Sequence, residues 1–219
     1  MWSTIMINEW NEAESKRAER TWGHKLPQYT QDMFNFALSK GNTFLDLGCG
    51  FGRFLNFLTK DREDPAWIGY DSSEAMIALI KERFPEYLLR VFQKNVTDPI
   101  THPTDVIISS AVFIHITVDD QKKILENISK LSPKPKAITF DINCPPEVQI
   151  DRLKIKQIDH FERFITVTPG SEVKFRMTWQ SHYTMTKHIL SMFPNYDLKV
   201  GFYDLRSNRH KAVYMLNLR

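Results

Sequence analysis

The residues with the clearest chemical potential in this sequence are three glycines at alternate positions, Gly48, Gly50 and Gly52, with Asp46 just ahead of them and Asp71 beyond. Glycine admits backbone dihedrals closed to other residues and leaves no side chain where a ligand must lie against the main chain. The apolar run 44–47, broken only by Asp46, and the helical spacing of Phe54, Leu55, Phe57 and Leu58 make this segment a strand, a glycine turn and a helix. The helix start adds free N–H donors to the turn. The spacing is GxGxG, not the GxGxxG of dinucleotide-binding turns, and so departs from the NAD pattern. A second apolar strand, 67–70, ends in Asp71, an acid placed to accept both hydroxyl protons of a ribose. Turn and acid together point to an adenosine.

At these residues the chain resembles the class I, Rossmann-like S-adenosylmethionine-dependent methyltransferases. LDLGCGFGR at 45–53 matches the family's first motif, and GYDSSEAMI at 69–77 its second, whose acid binds the cofactor ribose while the next residues flank the adenine. KNVTDP at 94–99 lies where the family has an acid facing the adenine amino group, with Asn95 in place of the usual Asp. DVIISSAVFIHI at 105–116 looks like the fourth strand and the segment after it. The resemblance is close over 30–143 and in outline elsewhere. It implies methyl transfer from S-adenosyl-L-methionine, no metal, and a cofactor site built from Asp46, Gly48, Cys49, Gly50, Gly52, Asp71, Ser72, Met76, Asn95, Val96 and Ser109. For Asp46 two roles stay open: orienting the cofactor's amino group, or tying down the loop's own N–H groups. Met76 has core packing as its rival role, and Cys49 reads as a small buried filler.

Such residues need a scaffold that brings them to one edge. Strand signals at 44–47, 67–70, 87–92, 105–110 and 137–142 alternate with helical spacing over 30–40, 53–60, 73–84 and 119–131, with Thr30 as an N-cap. That alternation implies parallel strands, right-handed crossovers and a ligand at the strands' carboxyl ends. The last third changes character. Val173, Phe175, Met177 and Trp179 alternate with polar residues, and Pro169-Gly170 predicts a hairpin with 163–168. A helix over 185–193 precedes strands at 196–205 and 211–218, joined by a turn at 207–209. The predicted fold is α/β: a doubly wound, mostly parallel seven-stranded sheet with an antiparallel closing strand and a small β-hairpin insertion between strands five and six. It forms one domain, 1–219, with an N-terminal helical arm (1–29) and an insertion or lid (144–184). Trp10 and Trp22 bracket the arm's helix, either docking it on the body or, through Trp22 or Tyr29, reaching the cofactor's methionine end as a lid.

Transfer from an activated sulfonium is an in-line displacement in which the protein mainly positions the acceptor, so a base is optional. His115, after the fourth strand, is the catalytic candidate, with packing or a helix cap as the competing role. Asp141, His160, His182 and Tyr183 are weaker candidates, and Cys144 lacks the partners of a cytosine-methylating nucleophile. The place after strand four reads Ser109-Ser110-Ala111-Val112, without the Asn- or Asp-Pro-Pro of adenine- and glutamine-methylating relatives. Of 219 residues, 42% are hydrophobic and 25% charged, with a net charge of +3, an ordinary globular balance that does not indicate nucleic acid. Two cysteines make no disulfide framework, and no signal-peptide core or membrane span is present, so a cytoplasmic setting is expected. A small-molecule acceptor methylated at O or N is the leading reading, with Trp179, Tyr183 and Phe175 as candidate lining. RNA or protein methylation, or a non-catalytic cofactor-binding module, are the rivals.

Overall fold

A parallel sheet is covered on both faces, so its strands must be apolar at successive positions, not at every second one. The computed structural model describes residues 10–22, 26–144, 160–165, 175–205 and 209–219. In it β1 (Thr43–Leu47), β2 (Ala66–Asp71), β3 (Val91–Gln93), β4 (Val106–Ser109) and β5 (Ala137–Cys144) pair in parallel in the order β3-β2-β1-β4-β5. β5 is buried along its whole length. β6 (His160–Ile165) and β7 (Phe175–Gln180) form an antiparallel hairpin that joins β5 at Asn143↔Trp179. β8 (Tyr196–Leu205) and β9 (Arg209–Leu218) close the sheet, β9 running antiparallel to β5 from Ala137↔Asn217 to Cys144↔His210. The result is the expected seven-stranded body with its antiparallel closing strand, plus the inserted hairpin.

Alternation along each strand sends neighbours to opposite cores. Phe44, Trp67, Val106 and Ile108 face α2 (Gln28–Leu38), α3 (Arg53–Leu58) and α4 (Glu74–Arg83). Leu45, Leu47, Ile107 and Phe140 face α5 (Val118–Ser129) and α6 (His182–Met192). α1 (Glu12–Trp22), capped by Asn11 accepting the Glu14 N–H at 3.0 Å, packs its Ala18 on Phe51, Met76 and Leu79. The arm therefore lies on the glycine turn and α4.

Two expectations are corrected. Residues 87–90 are not strand: Pro85–Arg90 is a 3₁₀ turn, and β3 keeps only Val91–Gln93. Proline favours the first helical turn, Tyr87 is buried edge-on against Trp67 at 6.1 Å, and Leu89 is 87% exposed, so the apolar run does not lie in one sheet face. Thr30 is not an N-cap; α2 starts at Gln28 behind Pro27, whose carbonyl accepts the Thr30 and Gln31 N–H groups at 3.0 Å. The predicted turns at Pro169-Gly170 and Ser207-Asn208 lie outside the described residues.

Gly69 in β2 has no room for a side chain: a Cβ there would sit 2.4 Å from a Trp67 ring carbon and 2.8 Å from the Cys49 Sγ. Gly69→Ala is expected to destabilise by about 1–3 kcal/mol as the loop behind Cys49 is displaced. Denaturant unfolding checks this, and an unchanged midpoint contradicts the packing described.

Candidate functional site

The first two βα turns are joined by hydrogen bonds. Gly48, Gly50 and Gly52 have φ of 72°, 54° and 82°, in the left-handed region that glycine enters without cost. The Gly48 and Cys49 N–H groups donate to the Tyr70 carbonyl at 2.7 and 2.9 Å. The Gly50 N–H donates to Asp71 Oδ2 at 2.8 Å, while Asp71 Oδ1 accepts from the Ser73 N–H at 2.9 Å. Ser73 in turn caps α4, its Oγ accepting the Met76 N–H at 3.2 Å. A Cβ on Gly48 would strike Val112 Cγ2 at 2.3 Å, whereas one on Gly50 would meet nothing within 4 Å. The turn is thus packed against Val112 at Gly48 and open at Gly50, a cradle suited to a ligand lying on bare backbone.

Burial governs the acids here. Desolvation raises Asp71 above the ordinary carboxylate range, offset by the N–H groups of Ser73, Gly50 and Ser72. Asp46, 3% exposed, is pushed up to about 7 by burial, against the pull of the Arg53 charge. Burial also drives the Cys49 thiol well up, which makes it an inert filler and not a nucleophile. Arg53, first residue of α3, donates to Ser110 Oγ at 3.3 Å and ties α3 to the segment after β4.

The remaining predicted residues are spread around this edge. Ser109 Oγ donates to the Leu47 carbonyl at 3.0 Å and joins β4 to β1. Ser72 lines a cleft of about 550 Å³ together with Trp10, Asn11, Ser73, Ala75 and Gln93. Met76 is buried under α1, and Val96 packs toward the core beneath α5. Asn95 is exposed, its amide oxygen accepting the Thr97 N–H at 3.0 Å and hydroxyl at 2.9 Å. His115 donates its N–H to the Val112 carbonyl at 2.8 Å, and its ring stands edge-on to Trp10 at 6.2 Å. The Trp10 carbonyl accepts from Ser73 Oγ at 2.9 Å, so the arm spans from α4 to the segment after β4. That Trp10 would make this bridge was not readable from sequence, which offered only two bracketing tryptophans.

Tyr29 is buried against Tyr203 and Lys211, and Asp141 is fully buried beside Lys211. Cys144 packs in the core under α6. Tyr183 is 53% exposed, and the His182 ring lies 4.9 Å from Phe202. The side chains of Trp22, His160 and Phe175 lie outside the described residues. Among the described residues, no three His, Cys, Asp or Glu come together to hold a metal ion, and no helix is long and apolar enough to cross a membrane.

Residues 45–133 match the family model of a methyltransferase domain. No curated protein sequence matches the chain. Among solved structures the fold is similar to magnesium protoporphyrin IX methyltransferase from Synechocystis with bound SAH, with a TM-score of 0.64, 16% identity and 99% of both chains covered. It is also similar to 1,6-didemethyltoxoflavin-N1-methyltransferase from Burkholderia thailandensis, with a TM-score of 0.62, 12% identity, and 94% of this chain and 88% of that one covered. The small RNA methyltransferase HEN1 aligns with a TM-score of 0.60 and 14% identity over 88% of this chain but 25% of its own.

An acid whose folded pKa lies above its unfolded value holds a proton that the unfolded chain releases, so its contribution to stability falls as pH rises between the two values. For Asp46 that window runs from about 4 to about 7, and the raised Asp71 adds the same sign. Unfolding free energy is expected to drop across this window by at most on the order of 4 kcal/mol from Asp46. Asp46→Asn should flatten the slope. Denaturant unfolding at pH 5, 6, 7 and 8 checks it; parallel curves for the two proteins contradict the assignment.

Proposed function

We infer that this chain, a methyltransferase domain on the class I S-adenosylmethionine-dependent fold, moves the cofactor's methyl group to an O or N atom of a small-molecule acceptor. The observation that carries the reading is the closure of Asp71 on the glycine turn beside the open space at Gly50. A carboxylate at a strand end, next to exposed glycine backbone, fits a nucleoside ribose on one side and its extended tail on the other.

S-adenosylmethionine supplies a methyl group already activated on sulfur. The protein's part is to bind, orient and exclude water, and orientation alone is worth about 7–11 kcal/mol. Asp71 accepts from the ribose hydroxyls, and Asp46 and Arg53 sit where the strand-one edge meets the amino-acid end. Asp46, poised near neutrality, gains a full negative charge when an ammonium group approaches it. His115 lies on the same edge with Trp10 as its wall and is the residue placed to take a proton from a hydroxyl or ammonium acceptor.

A small acceptor is supported by the arm over one side of the crevice, by the hairpin beside β5 and by a net charge of only +3. Two of the similar structures are named for small molecules, magnesium protoporphyrin IX and 1,6-didemethyltoxoflavin. The likeness to a small RNA methyltransferase keeps RNA as the second reading, and salt separates the two. A bound RNA should be lost steeply between about 50 and 200 mM salt, a neutral metabolite hardly at all.

Three outcomes follow from this reading. Asp71→Ala should weaken S-adenosylhomocysteine binding at least tenfold by calorimetry, because two hydroxyls lose their acceptor; unchanged affinity counts against it. Methyl-labelled cofactor incubated with a small-metabolite pool should yield a labelled product, whereas binding without any turnover would mark a non-catalytic module. His115→Ala should abolish that turnover while binding stays within about threefold. Surviving turnover makes His115 structural.

A further inference from the structure

Ala111 is the one non-glycine residue at positive φ among the described residues, with φ of 60°. It stands two residues past the end of β4, between Ser110, which Arg53 holds, and Val112, which packs on Gly48. An alanine in the left-handed region is held there only if its surroundings insist. The restraint is visible: the Ala111 N–H donates to Asp141 Oδ1 at 2.6 Å, and Asp141 Oδ2 accepts from Lys211 Nζ. Asp141 is 0% exposed and Lys211 is 4% exposed. The pairing of β5 with β9 sets Lys211 opposite Asn143 and Val213 opposite Asp141, which brings the ammonium beside the carboxylate on one face. The Tyr29 ring lies 5.3 Å from the same ammonium.

A buried ion pair is weak support for stability, since a well-packed apolar pair of similar volume is often as good. Its value here is directional. We propose that Asp141, held by Lys211, is a positioning residue that fixes the left-handed turn at Ala111 and thereby sets the wall of the cofactor crevice. The chain direction at Ala111 aims Val112 at Gly48. The Val112 carbonyl then accepts the His115 N–H, so the turn also carries the position of the proposed base. The carboxylate thus acts through the turn and touches no reacting atom.

This inference rests on S-adenosylmethionine binding in the crevice, so wild-type affinity for S-adenosylhomocysteine is measured first by calorimetry; absence of binding there defeats that reading, not this one. Two double variants then separate charge from hydrogen bonding. Asp141→Ala with Lys211→Met removes both charges and the acceptor for the Ala111 N–H. Asp141→Asn with Lys211→Met removes the same charges and keeps an acceptor oxygen. The alanine pair should bind at least tenfold more weakly than wild type, and the asparagine pair should regain at least fivefold of that loss. Equal affinities in the two, whether weak or strong, overturn the proposal. If the alanine pair does not fold, Ala111→Pro, which lacks the N–H and forbids positive φ while leaving the ion pair in place, should lose affinity at least tenfold in folded protein. Unchanged affinity in that variant likewise overturns it.

Discussion

The Asp71 carboxylate accepts the Gly50 N–H at 2.8 Å and the Ser73 N–H at 2.9 Å, and this pair of hydrogen bonds decides where two βα turns stand relative to each other. One oxygen holds the tip of the glycine turn and the other the start of α4. Both turns also hang on the same strand end, since the Tyr70 carbonyl receives the Gly48 and Cys49 N–H groups. Removing water from a carboxylate is costly unless several donors replace it, and here backbone N–H groups do so. The crevice is preorganised by main-chain donors, which vary little with side-chain chemistry.

Three carboxylates lie along this edge, Asp46 and Asp141 buried and Asp71 partly so, and each is balanced differently. Asp71 on β2 is met by N–H groups, Asp46 on β1 is left near neutrality with Arg53 nearby, and Asp141 on β5 has a full ammonium partner. The first fits hydroxyl recognition, the second an approaching cation, and the third a structural restraint on the next turn. One sheet edge can therefore serve binding and positioning with the same residue type, because the environment sets the role. The arm adds the last wall through Trp10, which links Ser73 to His115.

Much of this was legible in the sequence, and the reason is local. Glycines at alternate positions and an acid closing the next strand carry their constraint within a few residues, so Gly48, Gly50, Gly52 and Asp71 were found where the structure puts them. The two-residue alternation of 173–180 likewise announced the inserted hairpin. Signals that depend on distant partners were not legible. Nothing near Asp141 marks Lys211 as its partner 70 residues away, and nothing near Ala111 marks its left-handed turn. The run at 87–90 misled because apolar composition alone does not separate a strand from a 3₁₀ turn led by Pro85. The Asn95 amide oxygen accepts from Thr97, a local turn bond that an Asx residue readily makes.

The central claim is that the glycine turn and Asp71 hold the two halves of one sulfonium nucleoside. Crystals soaked with S-adenosylhomocysteine test it most directly. The account predicts ribose hydroxyls on the Asp71 carboxylate and the ligand's chain running over Gly50 toward Asp46. A compound bound elsewhere, or a nicotinamide dinucleotide occupying this crevice instead, would contradict it.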